Sequence, residues 1–135
     1  MAYDLAITPK EGFLHVTVTG QNSMEAVNGY IVEVIRECAA RHCRRVLIEE
    51  CLLGPRLGTV DVFNLVSGVM LRSRGELHSI AFVDVNASGD TMHFAEDVAV
   101  NRGAPFRVFP NVAAAEQWLL AEIARSAAVP HSTRR

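Results

Sequence analysis

Apolar and polar residues alternate in two short segments at the start of the chain. Every second position is apolar in both segments: Tyr3, Leu5 and Ile7, then Leu14, Val16 and Val18. Residues 9–12, Pro-Lys-Glu-Gly, separate the segments and are typical of a turn. The pattern predicts a β-hairpin with one apolar face. Because the alternation leaves the other face of the second strand polar, helices are expected mainly on one face of the sheet.

After the hairpin the apolar positions recur with the period of a helix. They form one stripe: Met24, Val27, Ile31, Val34, Ile35 and Cys38. Asn22 and Glu25 have the spacing of a capping box, which predicts that the helix begins just after Asn22. Residues 46–48, Val-Leu-Ile, then predict a buried strand. A strand, a helix and a second strand in this order predict a parallel crossover.

Residues 49–58 are predicted to form a loop because they contain two glycines and a proline. The next helix, residues 60–71, has Thr59 as its expected N-cap and is apolar nearly all round. One small core cannot bury all of these side chains, so residues 52–71 are expected to form a surface for a protein partner or a second copy of the chain. The residues expected on that surface are Leu52, Leu53, Leu57, Leu65 and Val69.

The last third of the chain predicts two more strands, residues 80–85 and 106–109, each followed by a helix. Asn111 is the expected N-cap of the final helix. Residues 1–125 are expected to be a single domain, and residues 126–135 a disordered polar and basic tail. The order β-β-α-β-α-β-α-β-α predicts an α/β fold with a mixed, mostly parallel five-stranded sheet.

Composition and charge limit the classes of function. The chain has 135 residues, 50% of them hydrophobic, and a net charge of −2, which is unfavourable for nucleic-acid binding. Its three cysteines lack CxxC spacing and favour reduced thiols. It has neither a signal-peptide pattern nor an apolar run of about 18 residues, so a cytoplasmic protein without membrane insertion is expected. Cys38, His42 and Cys43 are one ligand short of a closed zinc site, so no metal is expected.

Acidic residues follow two of the predicted strands. Glu49 and Glu50 follow the third strand, Asp84 ends the fourth, and His93 begins a nearby predicted helix. Ligands of open α/β sheets bind at the carboxyl edge, so these four residues are candidates for ligand contact or acid–base chemistry. No GxGxxG, GxxxxGK[ST] or GxSxG motif accompanies them, and neither catalysis nor a cofactor is expected.

The order of elements resembles that of the STAS domain, and in particular its SpoIIAA-like bacterial branch. The resemblance covers residues 3–123 and rests on three segments: the Asn-Arg-Gly stop at residues 101–103, the strand at residues 106–109 and the helix at residues 111–119. It implies a sheet with helices mainly on one side and a regulatory role through protein binding. The same general fold is shared with lipid-carrying SEC14-like domains.

STAS antagonists of anti-sigma factors carry a Ser or Thr at the start of the helix after the third strand, and a partner kinase phosphorylates it. Thr59 matches that residue by position, which makes it the candidate phosphorylation site. The usual Asp-Ser-Ser or Asp-Thr-Ser run is absent around it. A helix cap and a phosphorylation site both use this hydroxyl group, so the sequence leaves both roles open.

Three functions remain open at this point. The preferred one is a non-enzymatic protein-interaction or regulatory module that forms a homodimer through residues 52–71. The second is a carrier or sensor of a small apolar ligand or lipid. The third is an enzyme that uses the acidic residues at the carboxyl edge of the sheet.

Overall fold

The fold is an α/β arrangement built on one five-stranded sheet. The computed structural model describes residues 3–55, 61, 64, 65, 68, 77–84 and 106–128. The strands, in spatial order, are β1 (Tyr3–Pro9), β2 (Leu14–Gln21), β3 (Arg45–Leu53), β4 (Ser79–Asp84) and β5 (Phe106–Val108). Helix α1 (Met24–Ala40) joins β2 to β3, and helix α2 (Val112–Ala128) follows β5. Strand β1 is antiparallel to β2 and the other pairs are parallel, which confirms the predicted mixed sheet.

The predicted hairpin of β1 and β2 is confirmed. Its register pairs Tyr3 with Gly20 and Pro9 with Leu14. The backbone N–H of Lys10 donates to the carbonyl of Phe13 at 2.8 Å and closes the turn. Gly12 lies in this turn with φ of 93°, and a Cβ atom at this residue would come within 2.6 Å of the Ile123 side chain. The turn therefore requires glycine for its backbone angle and for its contact with α2.

Helix α1 begins one residue later than the sequence predicts. Ser23 is the N-cap, and its hydroxyl accepts a 3.0 Å hydrogen bond from the backbone N–H of Ala26. The side chain of Asn22 instead donates to the carbonyl of Pro55 at 2.7 Å. The backbone N–H of Asn22 donates to the carbonyl of Leu53, also at 2.7 Å. Asn22 thus ties the end of β2 to the residues that follow β3.

The buried side of α1 also differs from the predicted stripe. Its buried residues are Ala26, Val27, Tyr30, Val34 and Cys38. Tyr30 is fully buried although the apolar stripe omits it, because its hydroxyl group has a hydrogen-bond acceptor in the core. Met24 is 38% exposed, and Ile31 and Ile35 are only partly buried.

Strand β3 extends through residues that the sequence predicts as a loop. Its parallel pairing with β2 continues from Val46, opposite Leu14, to Leu53, opposite Gln21. The chain leaves the strand at Gly54, where φ is 104°. The five residues 49–53 are therefore strand, because backbone pairing with β2 continues beyond the apolar run.

In the part of the chain that the structure describes, helices lie on both faces of the sheet. The expectation that they lie mainly on one face stays a prediction, because one predicted helix lies outside the described residues. On one face, α1 and Leu65 contribute to a buried cluster with Val16, Ile48 and Phe82. On the other face, residues of α2 pack against neighbouring strand residues in a second cluster: Ala115 and Leu119 with Phe13, Leu47, Ala81 and Val83. Successive side chains of β3 and β4 point to opposite faces, so these strands contribute residues to two cores rather than one.

Helix α2 has the N-cap that the sequence predicts. The side-chain oxygen of Asn111 accepts a 2.8 Å hydrogen bond from the backbone N–H of Ala114. The helix continues through Ala128, three residues into the segment expected to be a disordered tail. Across the described residues, no helix has both the length and the apolar character needed to cross a membrane.

Two predicted helices lie mostly outside the described residues. The helix predicted at residues 60–71 is represented by Asp61, Asn64, Leu65 and Gly68, all of which are helical. The helix predicted between β4 and β5, with His93, lies outside the described residues. Thr59, Leu57 and Val69 lie outside them as well.

Candidate functional site

The acidic residues near the carboxyl edge of the sheet do not converge on one site. Strand register places Glu50 beside Asp84 and Glu49 beside Val83. Consecutive strand residues point to opposite faces, so Glu50 and Asp84 lie on the face covered by α1, and Glu49 lies on the other face. Glu49 and Glu50 therefore cannot contact the same small substrate from one side of the sheet.

Glu50 belongs to a buried polar contact with α1. Its side chain is only 5% exposed, and the hydroxyl group of the fully buried Tyr30 donates a hydrogen bond to its Oε2 atom. The Tyr30 ring stands edge-on to the Tyr3 ring, with centroids 6.2 Å apart. Burying a carboxylate is unfavourable unless hydrogen bonds replace its water shell. The contact thus fixes α1 against β3.

Glu49 belongs to a polar cluster on the opposite face. Its Oε1 atom lies 2.9 Å from Nε2 of His15 and accepts a 3.5 Å hydrogen bond from the hydroxyl of Thr17. The side chains of His15 and Glu49 are 17% and 25% exposed, so the cluster is only partly solvated. It ties β2 to β3 and gives His15 a structural partner that the sequence pattern did not reveal.

Cys51 lies two residues beyond Glu49 on the same face of β3. Burial raises the pKa of the Cys51 thiol, and the charges of Glu49, Asp84 and Glu50 raise it further. A thiol that stays protonated near neutral pH is a poor nucleophile. The surroundings of Cys51 therefore do not activate it for catalysis.

A cleft lies between the first turns of α1 and the helical residues Asn64, Leu65 and Gly68. Its volume is about 490 Å³, a size typical of small-molecule sites, and six residues line it: Met24, Glu25, Asn28, Asn64, Leu65 and Gly68. Two amides and one carboxylate supply hydrogen-bonding groups, and Met24 and Leu65 supply apolar surface. The sequence carries one signal for this site, because Asn64 is one of the few polar residues in a mostly apolar helix pattern.

The predicted apolar surface is divided between core and solvent. Leu52 is fully buried and Leu65 is 7% exposed, so both belong to the core rather than to an accessible surface. Leu53 is 58% exposed, the largest exposed fraction among the large apolar residues that the structure describes. Adjacent leucines on one strand must point to opposite faces, which explains why Leu52 is buried while Leu53 is exposed.

Leu53 and the cleft lie near the same end of the sheet. The carbonyl of Leu53 accepts the backbone hydrogen bond from Asn22, and Met24, which lines the cleft, follows two residues later. The exposed residues Leu53 and Met24, together with the partly buried cleft residue Asn28, are called the carboxyl-end surface below.

The comparisons with known proteins supply no family. No protein-family model matches the chain, and no curated protein matches it. In the part of the chain that the structure describes, no three His, Cys, Asp or Glu residues form a group that could hold a metal ion. Function is therefore inferred from the geometry and from the sequence resemblance.

Proposed function

We propose that the chain is a non-enzymatic protein-interaction or regulatory module of STAS-like type, which self-associates through the carboxyl-end surface. The observation that carries the proposal is the 58% exposure of Leu53 beside the fully buried Leu52. Single exposed leucines are common on protein surfaces. Leu53 differs because its backbone carbonyl accepts a hydrogen bond from Asn22, two residues before a second exposed apolar residue, Met24, so both residues lie at the same end of the sheet.

The order of the described elements supports the STAS-like part of the proposal. A hairpin, a crossover helix and parallel strands precede a final helix, and helical residues lie between β3 and β4. Phosphorylation of Thr59 at the start of that intervening helix belongs to the same proposal. A phosphate on this hydroxyl group would add negative charge at the start of the predicted helix.

The positions of the carboxylates favour a binding module over an enzyme. A general acid and a general base must both reach the reacting group. Glu49 contacts His15 on one face, whereas Glu50 contacts Tyr30 on the other. Both carboxylates thus have partners within the fold that account for their positions.

A second candidate function, a carrier of a small ligand, is favoured by the cleft of about 490 Å³. Its apolar walls and two amide groups suit a small, mainly apolar molecule with one or two hydrogen-bonding groups. Native mass spectrometry on gently purified protein distinguishes the two functions. A dimer without added mass supports the interaction module, whereas a monomer with an added small-molecule mass supports the carrier.

The Leu53→Asp variant tests the proposed surface. A charge at the centre of an apolar contact opposes association, so we expect the dimer to dissociate into monomers at concentrations where the unmodified protein remains dimeric. Leu120→Asp is the matched control, because Leu120 is 51% exposed on α2. It lies one turn from Ile123, which packs at the Gly12 turn at the opposite end of the sheet.

The control and the unmodified protein should have the same oligomeric state. The far-ultraviolet circular dichroism of both variants should match that of the unmodified chain. A dimer that survives Leu53→Asp, or an unmodified protein that is monomeric at every concentration, would contradict self-association through this surface.

A further inference from the structure

The carboxyl end of α1 has the hydrogen bonds of a Schellman motif. The helix ends at Ala40 with Arg41 as the C-cap, and His42 adopts the left-handed conformation with φ of 54°. The N–H of His42 donates to the carbonyl of Ala39 at 3.2 Å, and the N–H of Cys43 donates to the carbonyl of Cys38 at 2.9 Å. These two bonds, from the first and second residues after the cap, define the motif.

The motif brings two cysteine side chains to one place. A Schellman motif commonly places the side chains of its first and sixth residues in apolar contact, and here those residues are Cys38 and Cys43. Cys38 is 1% exposed within the core cluster, and the partly buried Cys43 packs against that same cluster. The Cys43 thiol donates to the carbonyl of Arg45 at 3.2 Å, which holds its sulfur near the start of β3.

The backbone geometry permits a covalent link between the two residues. Standard bond lengths and the 2.9 Å hydrogen bond limit the separation of the two Cα atoms to at most about 6.8 Å. Disulfides join Cα atoms that are about 4.4–6.8 Å apart. The third cysteine, Cys51, lies on the opposite face of the sheet from α1. Among the three cysteines, Cys38 and Cys43 are therefore the pair that the fold brings together.

We propose that Cys38 and Cys43 are a reversible redox modification site, which forms an intramolecular disulfide across the end of α1 in the presence of a small disulfide oxidant. The bond would fix the end of α1 to the segment that enters β3. The hydrogen-bonded turn already brings the backbones of the two residues together, and the Cys43 thiol must leave the Arg45 carbonyl to form the bond.

The chemistry proceeds by two thiol–disulfide exchanges. The more accessible Cys43 thiolate attacks the oxidant disulfide, and one small thiolate leaves. The Cys38 thiol then loses its proton to solvent and attacks the sulfur of Cys43, and the second small thiolate leaves. Two protein thiols are oxidised to one disulfide, and the oxidant is reduced to two thiols.

The second exchange should be the slower one. Burial first, and then the neighbouring Cys43 and Glu37, raise the pKa of Cys38 to about 12. Only a very small fraction of Cys38 is thus thiolate near neutral pH. The rate of ring closure should rise about tenfold for each pH unit between pH 7 and pH 9, since the thiolate fraction rises by that factor.

The test uses the full chain, oxidised glutathione and trypsin. After oxidation, the remaining thiols are alkylated in denaturant and the protein is digested. Cleavage after Arg36, Arg41 and Arg44 separates the two cysteines onto peptides 37–41 and 42–44. We expect these peptides to appear as one disulfide-linked species that dithiothreitol separates, and we expect Cys51 to be alkylated.

Two variants complete the test. Cys43→Ser should abolish the linked species, whereas Cys51→Ser should leave its yield unchanged. Three alkylated cysteines after oxidation would overturn the proposal. So would a stable glutathione adduct on Cys43 without ring closure, or a disulfide that involves Cys51.

Discussion

Removal of the Tyr30 hydroxyl group tests whether the buried contact with Glu50 holds α1 against the sheet. In Tyr30→Phe the ring and its packing remain, and the donor to the Glu50 carboxylate is lost. Tyr30 is fully buried and Glu50 is 5% exposed, so bulk water does not readily replace the missing donor. The substitution therefore removes the hydrogen bond from Tyr30 to Glu50 inside the core.

The expected loss follows from the charge and burial of the acceptor. Hydrogen bonds to charged groups contribute about 1.5–3 kcal/mol to stability. We expect Tyr30→Phe to lower the free energy of unfolding by about 2 kcal/mol, which changes the unfolding equilibrium about 30-fold.

Tyr3→Phe is the matched control for this loss. The hydroxyl of Tyr3 also donates to a carboxylate, Glu33, at 2.7 Å, but this contact is only partly buried. Water can solvate the Glu33 carboxylate after the substitution, so we expect a loss below about 1 kcal/mol. Urea unfolding followed by circular dichroism measures both values.

A double-mutant cycle completes the test. Glu50→Gln alone and combined with Tyr30→Phe should give a coupling energy of about 1 kcal/mol or more, because the two side chains are in direct contact. Equal losses for Tyr30→Phe and Tyr3→Phe, together with a coupling energy near zero, would refute the structural role of the buried contact.

Two further predictions concern the two ends of α1. The pKa of Cys38 is raised from 9.0 to about 12 in the fold, so its neutral form is favoured there and stability should fall as the pH rises above 9. Under reducing conditions the unmodified protein should lose up to about 1.4 kcal/mol per pH unit relative to Cys38→Ala, and parallel pH profiles would contradict this. At the other end, Ser23→Ala should lower the free energy of unfolding by about 1 kcal/mol because it removes the N-cap oxygen. Urea titration measures this loss, and an unchanged free energy of unfolding for Ser23→Ala would contradict its role as the cap.

The sequence predicts the elements whose signals are local. The hairpin follows from the period of two in Tyr3–Pro9 and Leu14–Gln21 and from the glycine in the turn between them. The final helix follows from Asn111, whose side chain caps it as expected. The mixed character of the sheet then follows from a hairpin succeeded by strand–helix–strand crossovers.

The full length of β3 is not a local property. Glu49 and Glu50 have weak strand propensity, and Gly54 and Pro55 favour a turn nearby. Pairing with β2 overrides that preference because it satisfies the backbone groups of residues 49–53. The extended strand separates Glu49 from Glu50 and Leu52 from Leu53, so the error about its length also affects the predicted sites.

The helix start and the buried stripe of α1 depend on distant partners. Asn22 and Ser23 are both good N-cap residues. The choice between them depends on the carbonyl of Pro55, which accepts a hydrogen bond from the Asn22 side chain. Tyr30 can be buried because its hydroxyl group donates a hydrogen bond to Glu50, which lies on β3, 20 positions further along the chain. A periodic pattern of apolar residues carries no information about such an acceptor.

The two hydrogen bonds of Asn22 connect regions that would otherwise respond independently. Asn22 donates hydrogen bonds to the carbonyls of Leu53 and Pro55, and the helix that begins two residues later supplies Met24, Glu25 and Asn28 to the cleft. A partner that shifts Leu53 would therefore shift the cleft wall as well. Thermodynamic linkage then requires reciprocity: a molecule in the cleft would change the affinity for the partner by the same factor by which the partner changes the affinity for that molecule.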